Sequence, residues 1–198
     1  MARPKYNSGE STAREKLEVV FWKQLEEKGY NRITVASLVG EAGLNRNTFY
    51  YYYDSVDDMA RKAFEETLAP AIPLFVEQVF RLDLVAQDVR LPSDFAERFN
   101  RLRLFLRSDS PLLINMVKDT LRTIWLGLFG VTYDELSIRE MFLLEYMIGG
   151  ALSMAACDID DLSPQRLVDA LYDSPLRRGV SETLTQIGKQ HGLRATVG

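Results

Sequence analysis

Cysteine and histidine are almost missing from this chain: Cys157 and His191 are single representatives among 198 residues. One thiol cannot close an intrachain disulfide, so a reducing compartment is expected. The same two counts exclude a Cys/His zinc cluster and weigh against histidine-dependent hydrolytic triads. Long apolar runs are also lacking. The most apolar stretch, Met141 to Cys157, is interrupted by Glu145 and falls short of the roughly 18 residues a membrane span requires. The N-terminal MARPKYNSGEST is polar and has no signal-peptide core, so a cytoplasmic protein with no membrane partner is expected. An overall excess of basic charge is absent too, the net charge being −4. The charge is uneven, however. Residues 1–53 hold eight Lys or Arg against six Asp or Glu, and the remainder sixteen against twenty-two, which suggests an anion-facing N-terminal part.

Clean two-residue alternation of apolar and polar positions is hard to find, whereas helical spacing recurs throughout; with 46% hydrophobic and 26% charged residues, the chain is expected to fold as an all-α globular protein. Leu17, Val20, Phe21 and Leu25 mark a first helix over 12–28, stopped at Gly29. Thr34 caps a short second helix to Glu41 or Ala42, Gly43 supplies a turn, and Asn45 caps a third reaching about Tyr53. Ser55 with Asp58 opens a fourth, whose apolar stripe runs Val56, Met59, Ala60, Ala63, Phe64 and Leu68. Pro70 and Pro73 mark a boundary. Beyond it, helices are expected over 74–87, 95–107 and 111–129, the last interrupted by Gly127 and Gly130. Ser137 with Glu140 opens an apolar helix ending near Cys157, and Ser163-Pro164 and Ser174-Pro175 open one or two more. The count is nine or ten helices in three parts: an N-terminal arm and helix-turn-helix domain (1–54), a connecting helix (55–69) and a helical domain (70–198).

The segment GLNRNTFYYYYDSVDDM aligns a phenylalanine and four tyrosines. At about 100° per residue, Phe49 and Tyr53 fall side by side, Asn47 and Tyr51 point away from them, and Thr48, Tyr50 and Tyr52 lie on the flanks. One helix of two turns would therefore bury two rings and expose the others. Exposed phenols suit a nucleic-acid groove, where hydroxyls donate to phosphate oxygens and rings lie against sugars or thymine methyls, while Asn and Thr reach base edges. Packing of the same tyrosines against neighbouring helices is the competing explanation.

The stretch EKGYNRITVASLVGEAGLNRNTFYYYYDSVDDM, within residues 12–64, resembles the DNA-binding domain of the tetracycline-repressor (TetR) family. The resemblance lies in a Gly-Tyr that ends the first helix, a Thr-Val that opens the second, an Ala-Gly before the turn, and an aromatic-rich third helix leading to an acidic helix start. It implies a homodimeric, ligand-responsive repressor that binds a pseudo-palindromic operator. It assigns DNA contacts to Thr34, Asn45, Arg46, Asn47, Thr48, Tyr50, Tyr51 and Tyr52, and packing to Phe49 and Tyr53. The chain departs from the family at Asn47, where glycine is frequent, and at Val56, where lysine is frequent; Arg46, with Arg3 and Lys5 on the arm, could compensate.

The resemblance also implies a second domain for dimerisation and for an unidentified small-molecule effector, with no other cofactor. Candidate effector contacts are Met116, Arg122, Trp125 and Tyr146, an apolar wall with a few polar anchors. Small residues cluster in the second half of the helix ending near Cys157, allowing close approach of a partner helix. Gly149, Gly150 and Ser153, with Leu171, Val180 and Leu184 from the last helices, are the candidate dimer contacts. A helical ligand-binding or scaffolding dimer with a degenerate DNA-binding head is the alternative. An enzyme is disfavoured, because acidic pairs such as Asp57-Asp58 and Asp160-Asp161 do not share a helix face.

Overall fold

A computed structural model describes residues 12–70, 72–73, 91–159 and 162–174, together with residues 178, 179, 182, 187 and 190. Every regular element among these residues is helical, and the chain divides into two compact units, Met1–Ala63 and Phe64–Gly198. The boundary falls within the segment expected to be a connecting helix.

The first unit contains α1 (Ala13–Lys28), α2 (Val35–Ala42), α3 (Arg46–Tyr52) and α4 (Val56–Ala63). Side chains fix the helix starts. Thr12 and Glu15 make a reciprocal capping box on α1, with the Thr12 N–H donating to Glu15 Oε2 at 2.7 Å and the Glu15 N–H to Thr12 Oγ1 at 3.2 Å. Thr34 and Ser37 do the same for α2 at 3.1 Å in both directions. Gly43 closes α2 in the left-handed conformation, φ 66° and ψ 31°, a region that costs an L side chain about 1–2 kcal/mol, and so sets the turn into α3. α1 packs on both α2 and α3. Leu17, Phe21, Leu38, Phe49, Tyr53 and Met59 fill the core between them.

In the second unit, a π-helical turn (Phe64–Leu68) precedes α5 (Phe95–Arg107), α6 (Pro111–Phe129), α7 (Ile138–Ala156) and α8 (Pro164–Tyr172). α5 packs against α6, α7 and α8, and α6 packs on α7. The core gathers Phe64, Phe99, Phe105, Leu113, Val117, Leu144 and Ile148, with the Phe64 and Phe105 rings stacked at 5.8 Å. The C-terminus of α7 is held from outside by Arg103, whose guanidinium donates to the carbonyls of Ala155, Cys157 and Ile159 at 3.2, 2.8 and 3.4 Å. These carbonyls have no helical partner of their own, and a planar cation with five donors can satisfy several at once. Between α6 and α7, Glu145 receives Lys118 at 2.7 Å and Arg122 at 2.8 Å. Burial opposes ionisation of Glu145, but the hydrogen bonds from Lys118 and Arg122 outweigh it and hold its carboxyl below the ordinary range.

Three expectations are refined. α3 ends at Tyr52 because Tyr53 turns to extended backbone, donating its N–H to Phe49 O at 3.0 Å. The stretch after Ala63 widens into a π turn closed by Ala69 N–H to Phe64 O at 2.9 Å, and Pro70, which has no N–H, follows it. Gly127 does not interrupt α6, since one helical glycine costs only about 1 kcal/mol; the helix ends at left-handed Gly130. On α7, Ile138, Phe142 and Tyr146 are exposed, and the rings of Phe142 and Tyr146 stack at 6.2 Å. The helix expected over 74–87 lies outside the described residues, as do Arg3 and Lys5 of the arm. Among the described residues no helix is long and apolar enough to cross a membrane.

Candidate nucleic-acid interface

α3 is a short rod fastened at both ends. At its start Asn45 Oδ1 accepts from the Thr48 N–H at 2.9 Å and from the Thr48 hydroxyl at 3.1 Å, so the cap also orients the threonine. Along its inner side Phe49 and Tyr53 are buried, their rings 5.6 Å apart, as the helical wheel predicts. The Tyr53 hydroxyl donates to Glu18 Oε1 at 2.9 Å and lies 3.4 Å from Arg14 Nε, which ties the end of the aromatic run to α1. Burial pushes the Tyr53 phenol up; Arg14 pulls it down and Glu18 raises it, leaving it above its usual value and therefore a donor at any ordinary pH. At the far end Lys62 of α4 donates to the Tyr52 carbonyl at 3.0 Å and to Asp58 Oδ2 at 2.9 Å, and its ammonium stands 5.4 Å from the Tyr53 ring centroid. A cation at a helix C-terminus is favourably placed against the helix dipole. Tyr30 donates to Asp57, a further tie to α4.

The outward side of α3 is left for other contacts. Arg46, Asn47, Tyr50 and Tyr51 are exposed, and Tyr51 reaches 80%. Tyr52 is half-buried and meets Tyr51 edge to face at 4.9 Å, while Tyr50 sits edge-on to Phe49 at 5.5 Å. Thr48 is half-buried and Thr34 exposed, each engaged in a cap. Among the described residues no group pairs with the Arg46 guanidinium or the Asn47 carboxamide.

A buried polar network, unmarked by any sequence motif, sets the neighbouring helix. Gln24 of α1 is 1% exposed and spends its whole carboxamide on α2. Its Nε2 donates to the Ser37 carbonyl at 3.1 Å and to Glu41 Oε2 at 2.6 Å, and its Oε1 accepts from the Ser37 hydroxyl at 2.8 Å. Lys23 joins the far oxygen of Glu41 at 2.7 Å. The hydrogen bonds of Lys23 and Gln24 hold the Glu41 carboxyl below its usual value. Gln24 thus binds the capping box at Thr34 and Ser37 to the first helix. The sequence signal was there: Gln24 is a polar residue in the stripe of Leu17, Val20 and Phe21. A Gln24→Met variant keeps the bulk and strands these partners, so it should lose about 1–3 kcal/mol of stability in urea unfolding; a loss under about 0.5 kcal/mol would show the network to be idle.

The remaining candidates belong to the second unit. Arg122 is engaged by Glu145 and by Asp119, the latter at 2.7 Å, and lies 5.2 Å from the Tyr133 ring. Met116 is half-buried, Trp125 is buried in the core, and Tyr146 is 70% exposed beside Phe142. Gly149, Gly150 and Ser153 are exposed on α7. Leu171 lies in α8, where its side chain is outside the described set, and Val180 and Leu184 lie outside the described residues.

A short helix, a turn through a left-handed glycine and a second short helix with an unengaged outer side define a helix-turn-helix protein. Residues 22–63 match the model of the family described as bacterial regulatory proteins, tetR family. No curated protein matches the chain. Similar solved structures include the TetR family repressor AlkX from Dietzia sp., implicated in biodegradation of n-alkanes; identity is 12%, coverage 91% of this chain and 100% of that one, and the TM-score 0.44. The fatty acid degradation regulator FadR from Bacillus halodurans is 15% identical over 94% and 99% of the two chains, with a TM-score of 0.39. The dihydroxyacetone kinase operon activator DhaS is 15% identical over 90% and 95%, with a TM-score of 0.37.

Proposed function

We propose that this DNA-binding regulator is a ligand-responsive transcriptional repressor that binds a pseudo-palindromic operator as a homodimer. One observation carries the reading: α3 is anchored by Phe49 and Tyr53 and turns Arg46, Asn47, Tyr50 and Tyr51 to solvent. In this reading α3 enters the major groove. Arg46 and Tyr52 meet phosphates together with Thr34 of α2, the capped Asn45 and Thr48 lie along the same groove edge, and Asn47, Tyr50 and Tyr51 face the bases. Lys62 is spent on Tyr52 and Asp58, so it does not replace the phosphate contact missing at Val56; Arg46 takes that part.

The exposed stripe of α7, Ile138, Phe142, Tyr146, Gly149, Gly150 and Ser153, supports the dimer, since its spacing of three and four residues makes one continuous face. Two copies would then present their α3 helices roughly 34–36 Å apart on successive turns of the duplex. An effector held by the second unit, with Met116, Arg122 and Trp125 as its candidate contacts, would act by favouring one spacing of the heads over another.

Fluorescence anisotropy against DNA flanking the protein's own gene, across a salt series, tests the reading. Sequence-preferring binding that weakens steeply with salt is expected. A stable dimer that prefers no fragment at low salt would instead favour a scaffolding protein with a degenerate head. Tyr51→Ala should lower operator affinity by about 1–3 kcal/mol. Because the ring is so exposed, the melting temperature should stay unchanged, which separates lost contact from lost fold.

A further inference from the structure

We infer that Asn47 is the residue that selects adenine in each operator half-site, an assignment that rests on α3 being the helix that reads DNA. In the major groove adenine presents an acceptor, N7, beside a donor, the N6 amino group. A side chain can satisfy both only if it carries a donor and an acceptor on one planar group, and both must be free.

On α3 and its cap one residue meets that condition. The Asn45 carboxamide oxygen already accepts two bonds, from the Thr48 N–H and hydroxyl. Thr48 has spent its only hydroxyl proton there. Arg46 has donors but no acceptor, so its matches are guanine or phosphate. Tyr50 and Tyr51 offer one hydroxyl oxygen each, which reaches a single base atom. Asn47 is exposed, and no described residue engages its carboxamide. Its position is also fixed: the Asn45 cap lies two residues before it, and Phe49, fully buried, two residues after it. Tyr51, four positions on, is exposed on the same side of the helix.

The test begins by selecting binding sites from a random-sequence duplex pool with the full-length protein. The wild type and Asn47→Ala are then titrated by anisotropy, at low salt, against the selected site and against every single base-pair change in one half-site. Low salt keeps the variant's binding measurable through phosphate contacts alone. For the wild type, replacing one particular A·T pair by G·C should weaken binding roughly 5- to 150-fold. For Asn47→Ala the same replacement should change binding less than about 2-fold, with discrimination at the other positions retained. Asn47→Asp, which keeps the acceptor but loses the donor, should shift that position toward cytosine. Three outcomes would overturn the assignment: adenine preference unchanged in Asn47→Ala, discrimination lost evenly at every position, or a selected half-site without a preferred adenine. A wild-type selection that enriches no sequence overturns the DNA-reading function itself as well, so the two failures are distinguishable.

Discussion

Phe49→Ala is expected to unfold the first unit or leave it barely folded, with a loss of about 3–5 kcal/mol. Phe49 is fully buried, touches Tyr50 and Tyr53 ring to ring at 5.5 and 5.6 Å, and sits on the single turn that joins the α3 cap to Tyr53. Removing the ring leaves a cavity where α1 and α3 meet, in a unit too small to redistribute the loss. A whole domain is typically stable by only about 5–15 kcal/mol, and small ones lie near the bottom of that range. Urea unfolding followed by tyrosine fluorescence and circular dichroism measures the effect. Tyr50→Ala is the control: the neighbouring ring is exposed, and its loss should shift stability by no more than about 0.5 kcal/mol. Equal losses for the two variants would contradict the division of the aromatic run into anchors and contacts.

The second large effect concerns assembly. Phe142→Asp is expected to leave the proposed dimer dissociated into folded monomers at micromolar concentration. Phe142 is 67% exposed within one chain and stacks on Tyr146, so a charge there strands nothing in the monomer's own core. In a dimer the same position would be taken from water twice, once per copy. Each large apolar side chain fully buried contributes about 1.5–3 kcal/mol, and an unpaired carboxylate in its place reverses the sign. Sedimentation velocity reads the outcome, with circular dichroism to confirm that the helices survive. Affinity for a full operator should fall by more than tenfold while affinity for an isolated half-site stays put, because only the coupling of two heads is lost. A variant that still sediments as a dimer would remove α7 from the interface.

The helices were legible in the sequence because their starts are local chemistry. Thr12, Thr34 and Ser137 each bond a residue three positions away, and such pairs can be read from spacing alone. The burial of Phe49 and Tyr53 was legible for the same reason, since one helical period decides it. What stayed hidden depends on residues far apart in the chain. Gln24 meets Ser37 and Glu41 across a helix boundary, and Lys62 reaches back ten residues to the Tyr52 carbonyl. Local pattern says nothing of such pairs. The apolar content of α7 does not by itself say which of its side chains the fold covers; Ile138, Phe142 and Tyr146 are ones left exposed. Trp125 and Tyr146 separated for a similar reason, one drawn into the core and the other onto that outer stripe.

The cap at Asn45, the hydroxyl of Tyr53 on Glu18 and the ammonium of Lys62 on the Tyr52 carbonyl hold α3 without using any of its outward side chains. Positions 46, 47, 50 and 51 are therefore cheap to mutate: a lineage can explore new binding sites there one substitution at a time while its fold stays intact. Duplicated copies of such a gene can drift apart in the promoters they govern long before their scaffolds diverge.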